Sequence, residues 1–225
     1  MGVHLLKNIP YFSELTIEEM QNLVASSQKQ KYPRGSIVLH KDDVEDETYL
    51  IMIGRVKVII THTDGKEIIL NILKSGDFFG EMAVFEHMPR SATVVAEEDC
   101  ELLIISRENL TNLIKRNPQI AFKLLADMSR RLREADEQIS GLAHLDAKGR
   151  VAQALLKLSK ESNMITDEGY QVFPKPPIKD IAAMSGTSHE TVSRLLSELT
   201  TKRIIGLTKE YIVIYDRFET EDKTD

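Results

Sequence analysis

A single cysteine, Cys100, stands in the whole chain, so an intramolecular disulfide is excluded and an iron–sulfur cluster would lack three of its usual four thiolates. The run around it, CELLIIS, alternates, and Cys100 reads as a small buried strand residue rather than a redox switch. The 6 histidines are scattered without ligand spacing. His40, His62 and His144 read as surface or packing residues, and no metal site is expected. No apolar run approaches the ~18 to 20 residues that cross a bilayer, and the opening MGVHLLKNIPYF has no charged n-region followed by an apolar h-region. Leu6 stands where an N-myristoylation signal needs Ser or Thr. The expectation is a cytoplasmic protein without membrane association. Also missing are a P-loop, a metal motif and a nucleophile paired with a base and an orienting acid. His189-Glu190, or Glu81 with His87, therefore makes no catalytic constellation, and no enzymatic activity is expected.

Positive net charge is absent too. Lys and Arg number 29 against 35 Asp and Glu, a formal charge of −6, which argues against a protein that coats nucleic acid nonspecifically. A local basic face is still present. Lys175, Lys179, Arg194, Lys202, Arg203 and Lys209 gather in the last fifty residues, while acids crowd Asp42 to Glu47 and Glu97 to Glu101. The asymmetry suggests a sensing half and a DNA-facing half, and 225 residues allow two modest cores.

Thr16 to Ser27 reads as a short amphipathic helix, with Thr16 as N-cap and Glu18 and Glu19 in the first turn. From Gln30 to Ile105 the texture changes to short β-branched runs, SIVLH, TYLIMI, RVKVII, EIILNIL and ATVVA, separated by turn signals. Evenly spaced strands of this kind predict a β-sandwich or jelly roll, with a hairpin at Asp64-Gly65. After Asn117-Pro118 about thirty residues turn helical. Leu125, Leu132 and Ile139 repeat at seven, as do Met128, Ala135 and Leu142, and together they form an a/d seam that favours a parallel helix pair between two subunits. The alternative is a helix packed on its own domain. Leu145 to Gly149 is a candidate hinge, and Asp146 caps a helix carrying Val151, Ala154, Leu155 and Leu158 on one face. Met164 to Pro177 reads as loop or short hairpin.

The densest chemistry lies in FGEMAVFEHMPRSATVVA, Phe79 to Ala96. Arg90 supplies a forked cationic donor, Ser91 a hydroxyl, and the segment after Gly80 a set of backbone N–H groups, together a cradle for a phosphate. A carboxylate beside a phosphate repels it, so Glu81 fits only if it accepts a hydrogen bond from a ribose hydroxyl, which makes the expected ligand a nucleotide. A structural ion pair between Arg90 and Glu81 is the alternative.

Gly80, Glu81, Ala83, Arg90, Ser91 and Ala92 match in type and spacing the cyclic-nucleotide-binding signature of the CRP/FNR transcription regulators, which the chain resembles over nearly its whole length. A second module strengthens the resemblance. Lys179 to Lys202 reads as helix, tight turn, helix, with Gly186 supplying a left-handed turn residue and Ser188 capping the second helix. Ile181, Met184, Val192, Leu195, Leu196 and Leu199 would be its buried side, leaving His189, Glu190, Ser193 and Arg194 for the major groove. Arg grips guanine O6 and N7, and Glu accepts from cytosine N4. Lys179, Ser188, Thr191 and Lys202 complete the predicted DNA-binding set. Ile204 to Leu207 with Tyr211 to Tyr215 would form a β-wing, with Lys202, Arg203 and Lys209 near phosphates.

The resemblance implies an α+β architecture: an N-terminal β jelly roll over 1–117, a dimerisation helix and hinge over 118–146, and a winged helix-turn-helix over 147–225. It also implies a homodimer on double-stranded palindromic DNA, with RNA polymerase as partner. Glu190-x-x-Ser193-Arg194 is similar to the FNR branch, while the CRP branch has Arg where this chain has His189; TTGA-like or GTGA-like half-sites follow, with His189 tuning the outer base. The ligand set carried over is Gly80, Glu81, Met82, Ala83, Arg90, Ser91, Ala92, Ala135 and Asp136. At the last two positions cyclic-AMP-binding relatives have a Thr-Ser pair that contacts adenine, so neither hydroxyl is present here. Cyclic AMP is the leading expectation, and cyclic GMP or cyclic di-GMP is the alternative because an acceptor-only Asp136 suits the guanine edge. Arg130, Arg131 and Arg133 are further candidates for anion contacts. A ligand-independent regulator and, more remotely, a haem-based gas sensor with His87 as axial ligand remain as other readings.

Overall fold

The computed structural model describes Gly2–Tyr215. Residues up to 135 form one unit and those from 136 a second, so the division falls inside a long helix. The first unit opens with α1 (Gly2–Lys7), a 3-10 turn (Pro10–Phe12) and α2 (Ile17–Ala25). Eight strands follow: β1 (Gln28–Tyr32), β2 (Ile37–Leu39), β3 (Glu47–Ile53), β4 (Arg55–Thr61), β5 (Glu67–Lys74), β6 (Phe78–Phe79), β7 (Thr93–Ala96) and β8 (Cys100–Ser106). A short helix, α3 (Glu81–Glu86), lies between β6 and β7, and α4 (Arg107–Arg116) and α5 (Gln119–His144) close the series. The strands pair antiparallel in two four-stranded sheets, ordered β1-β8-β3-β6 and β2-β7-β4-β5, the jelly roll expected from the sequence.

Two cores share the first sheet. In β3, Tyr49 and Ile51 point between the sheets with Val56, Leu73, Val94 and Leu102, while Leu50 and Met52 point outward to Leu6, Phe12, Leu110 and Ile120. β8 divides in the same way, Leu102 and Ile104 inward, Leu103 and Ile105 outward. Successive strand residues face opposite sides, so a sheet covered on both faces needs apolar residues at every position. That is why TYLIMI and CELLII read as continuous rather than alternating runs. Phe78 and Phe79 split likewise, one into each core, and they lead directly into the cradle.

The helix ends follow from capping chemistry. The Thr16 hydroxyl accepts from the Glu19 N–H while the Glu19 carboxylate accepts from the Thr16 N–H, a reciprocal pair that fixes the start of α2. Three elements depart from the sequence reading. The stretch after Gly80, from which the sequence suggested only a set of backbone N–H groups, is the helix α3. The strand β1, QKQKY, is an exposed edge strand with no apolar alternation to betray it. The helix α4 was legible in principle, since Ser106 caps it and Leu110 and Leu113 form its buried stripe.

The second unit comprises α6 (Ala147–Ser162), the hairpin β9 (Met164–Thr166) and β10 (Gly169–Val172), α7 (Ile178–Ser185), α8 (His189–Thr201) and the wing strands β11 (Ile205–Leu207) and β12 (Ile212–Tyr215). Its sheet is ordered β11-β12-β10-β9. Asp146 accepts from the Gly149 N–H, so α6 begins at Ala147 rather than near Gly149. Gly186, at φ +57°, turns the chain between α7 and α8; a Cβ there would also stand 3.2 Å from the Leu142 side chain. Along α5, Leu125, Leu132, Ile139 and Leu142 of the predicted seam are exposed, Met128 is half-buried, and Ala135 is exposed.

Candidate ligand cradle and nucleic-acid interface

Seven of the nine residues in the predicted ligand set line one cavity of about 90 Å³: Gly80, Glu81, Met82, Ala83, Arg90, Ser91 and Ala92. Leu39, Val58, Leu73, Phe79 and Val94 supply its apolar wall, and Arg131 enters from α5. The other two, Ala135 and Asp136, lie exposed on α5 about one turn beyond Arg131.

The strand β6 delivers the chain to Gly80, whose φ of +77° starts α3 in the left-handed region. A Cβ there would come within 2.7 Å of Arg90 Nη1 and 3.3 Å of the Glu47 carbonyl oxygen, so no larger residue allows this approach. The Arg90 guanidinium is itself buried, at 3% exposure. Its Nη1 donates to the Gly80 carbonyl at 2.8 Å, and Nη2 donates to the Glu47 carbonyl at 2.8 Å and to the Glu45 carboxylate at 3.3 Å. Tyr49 lies beneath, its ring centroid 5.7 Å from Cζ. Arg90 Nε–H is buried without a hydrogen-bond partner. A buried cationic donor of this kind is what an anion in the cavity would satisfy, so the residues present fit a phosphate.

Glu81 does not pair with Arg90, contrary to the ion pair considered from the sequence; its partner is Arg131, at 3.5 Å. Burial raises the Glu81 carboxyl above its usual range, and Arg131 only partly offsets this. The sign for stability follows. A buried acid with a raised folded-state pKa favours folding in its protonated form, and that contribution is lost as pH rises from about 4.5 through the folded value. Glu81→Gln is expected to raise the thermal midpoint of the ligand-free protein at pH 7, with the advantage fading as pH falls through the raised folded-state value towards about 4.5. Scanning calorimetry across that range checks it; an equal advantage at every pH would contradict it.

The helix-turn-helix is shaped by what it buries. Val192, Leu195, Leu196 and Leu199 of α8 are buried, as is Ile181 of α7, while Met184 is half-buried. His189, Glu190, Ser193 and Arg194 are exposed on α8, so the four predicted base readers share the solvent side of one helix. Ser188 accepts from the Thr191 N–H and its hydroxyl meets the Thr191 hydroxyl at 2.8 Å, so these two secure the helix start. Arg150 of α6 fixes the turn from behind, its Nε donating to the Ser185 carbonyl and Nη1 to the Leu145 carbonyl, both at 2.8 Å. Sequence reasoning missed this residue, because its task is set by carbonyls that only the fold brings near.

Lys179 is exposed in the first turn of α7, and Arg203 and Lys209 are exposed near the wing. Lys202 is exposed but shares the Glu198 carboxylate with Lys148, at 2.7 and 2.9 Å. These two lysines hold the Glu198 carboxyl down at about 2. Lys175 donates to the Thr208 carbonyl at 2.6 Å and so braces the wing turn. His87, the candidate haem ligand, is exposed at the left-handed end of α3, with the Arg107 guanidinium against its ring.

An anion cradle in a jelly roll, followed along the chain by a winged helix-turn-helix, defines a ligand-binding DNA regulator. Family comparison agrees: residues 29–117 match the cyclic nucleotide-binding domain, and residues 149–219 match the Crp-like helix-turn-helix domain. The chain belongs to the CRP/FNR family of transcription regulators. It is 38% identical over 204 residues to the cyclic AMP receptor protein of Thermus thermophilus, covering 90% of each chain. It is 40% identical over 187 residues to the cAMP-activated global transcriptional regulator CRP of Escherichia coli, covering 82% of this chain and 88% of that one. Among solved structures it resembles the c-di-GMP-responsive global regulator CLP of Xanthomonas campestris, with a TM-score of 0.77 at 27% identity, covering 89% of this chain and 100% of that one. No helix among the described residues is long and apolar enough to cross a membrane.

Proposed function

We propose that this DNA-binding regulator works as a homodimer whose affinity for a palindromic operator is controlled by cyclic AMP held in the jelly-roll cavity. The observation that carries the reading is the pairing of opposite chemistries in one small space. A buried guanidinium with an unpartnered Nε–H suits a cyclic phosphate, and a buried carboxylate suits the ribose hydroxyl. The apolar wall suits the rest of a nucleoside. The names of the Thermus and Escherichia relatives support cyclic AMP over other nucleotides. Cyclic di-GMP keeps a place in the test because of the Xanthomonas regulator.

Coupling to DNA runs through α5, which carries Arg131 into the cavity and continues into the second unit. A nucleotide that binds one arrangement of α5 better than another shifts the population of DNA-competent dimers, and linkage requires operator DNA to tighten nucleotide binding by the same factor. Two recognition helices about 34 Å apart would then meet successive major grooves, with RNA polymerase as the further partner. Calorimetric titration with cyclic AMP, cyclic GMP and cyclic di-GMP tests the ligand. Micromolar binding of cyclic AMP supports the reading, and silence from all three refutes it.

The exposed seam of α5 supports the dimer. Leu132 is 63% exposed and leaves its own fold almost unsupported by its side chain. Leu132→Asp is therefore expected to halve the mass measured by light scattering while leaving the thermal midpoint of each unit within a few degrees. An unchanged mass would place the interface elsewhere.

A further inference from the structure

Arg131 reaches the cavity from α5, but two of the groups that hold it there, the Phe78 carbonyl and the Asp127 carboxylate, are not part of the cavity lining. Its Nη2 donates to the Phe78 carbonyl at 2.6 Å and to the Asp127 carboxylate, one turn earlier on the same helix, at 2.7 Å. Its Nη1 faces Glu81. Asp127 has only 12% of its side chain exposed, and it also takes the Arg130 guanidinium, with the Tyr11 hydroxyl beside it. Tyr11 comes from the N-terminal segment, is buried, and sets its ring edge-on against Phe78 at 4.9 Å. Burial first, and Asp127 second, raise the Tyr11 hydroxyl well above its ordinary range, so it remains a hydrogen donor at every working pH.

We propose that Asp127 is a positioning residue for nucleotide binding: it fixes the Arg131 guanidinium beside Glu81 and the Phe78 carbonyl before the ligand arrives. The inference rests on the reading of the cavity as a cyclic-nucleotide site. Its physical basis is pre-organisation. An arginine free to sample its rotamers must be ordered when the ligand binds, which weakens affinity by about three- to tenfold. An acid one turn before the arginine, with a buried phenol next to it, removes that requirement.

The test is calorimetric titration with cyclic AMP, and with cyclic GMP and cyclic di-GMP in parallel, of the full-length wild type and of Asp127→Asn, Tyr11→Phe, Arg131→Gln and the double variant Asp127→Asn/Arg131→Gln. Asp127→Asn is expected to weaken binding by about five- to tenfold and Tyr11→Phe by about two- to threefold. In the Arg131→Gln background, Asp127→Asn should have no further effect. A merely structural role would lower thermal stability without this dependence on Arg131. Wild-type affinity in Asp127→Asn, or the same loss with Arg131 already removed, overturns the proposal while leaving the cavity a nucleotide site. If Asp127→Asn does not fold, Tyr11→Phe decides, and unchanged affinity there overturns it. A wild type that binds none of the three nucleotides refutes the functional reading and the proposal with it.

Discussion

Arg90→Gln is expected to weaken nucleotide binding by about 10² to 10⁴ in affinity. Arg90 and Arg131 are the cations in the cavity lining, and Arg90 sits deepest, 3% exposed, among the Gly80 and Glu47 carbonyls and the Glu45 carboxylate. Hydrogen bonds to charged groups are worth roughly 1.5–3 kcal/mol each, and a phosphate deprived of two of them loses about 3–6 kcal/mol. That converts to the stated range at 1.4 kcal/mol per factor of ten. The variant also leaves two buried carbonyls short of donors, a cost of about 1–3 kcal/mol each, so a lower thermal midpoint accompanies the loss. Arg90→Lys separates the two effects. It keeps the charge but not the fork that spans the Gly80 and Glu47 carbonyls. It should remain folded and bind at least tenfold more weakly, whereas tight binding by a folded Arg90→Lys protein would show that the guanidinium does not hold the phosphate.

Arg194→Ala is expected to remove operator discrimination without touching the cavity. The residue is exposed on α8, beside Glu190, His189 and Ser193, and its side chain is no part of the buried stripe of Val192, Leu195, Leu196 and Leu199. A bidentate arginine–guanine contact is worth about 1–3 kcal/mol of discrimination, and a dimer uses it twice, so the specificity ratio should fall by about 2–6 kcal/mol, or roughly 30- to 10⁴-fold. Nonspecific binding should change little, with the salt slope reduced by no more than about 1 per subunit. Fluorescence anisotropy on operator and scrambled duplexes at two salt concentrations measures both quantities. Retained preference for the operator would remove Arg194 from base reading, and a changed nucleotide affinity in the free protein would show that the substitution disturbs more than the DNA face.

The sequence made the chemistry of the cradle legible because its parts are local: Gly80 to Ala83 and Arg90 to Ala92 lie within thirteen positions and converge on one cavity. The turn-and-cap logic of Gly186 and Ser188 was legible for the same reason, as each acts on its own backbone neighbours. What was hidden depends on distant partners. That Glu81 faces Arg131 rather than Arg90, that Tyr11 stands against Asp127, and that Arg150 grips the Ser185 carbonyl all rest on contacts spanning more than thirty residues. Elements without an apolar pattern were hidden too. β1 has four exposed residues out of five, and its place in the sheet comes from backbone pairing with β8, which leaves no mark on side-chain type. In α3, a helix of six residues with an apolar run of only four, Met82 to Phe85, was too short for a helical period to register.

The account stands or falls on whether the cavity and the recognition helix are coupled. The most direct measurement is the affinity of the purified full-length protein for palindromic duplexes with TTGA or GTGA half-sites, at physiological salt, with and without saturating cyclic AMP. A coupling of 1–3 kcal/mol predicts that the nucleotide tightens operator binding by about 5- to 150-fold, an effect that in Arg90→Lys needs at least about tenfold more nucleotide. Equal affinity with and without nucleotide, in a protein that binds cyclic AMP in solution, would contradict the account.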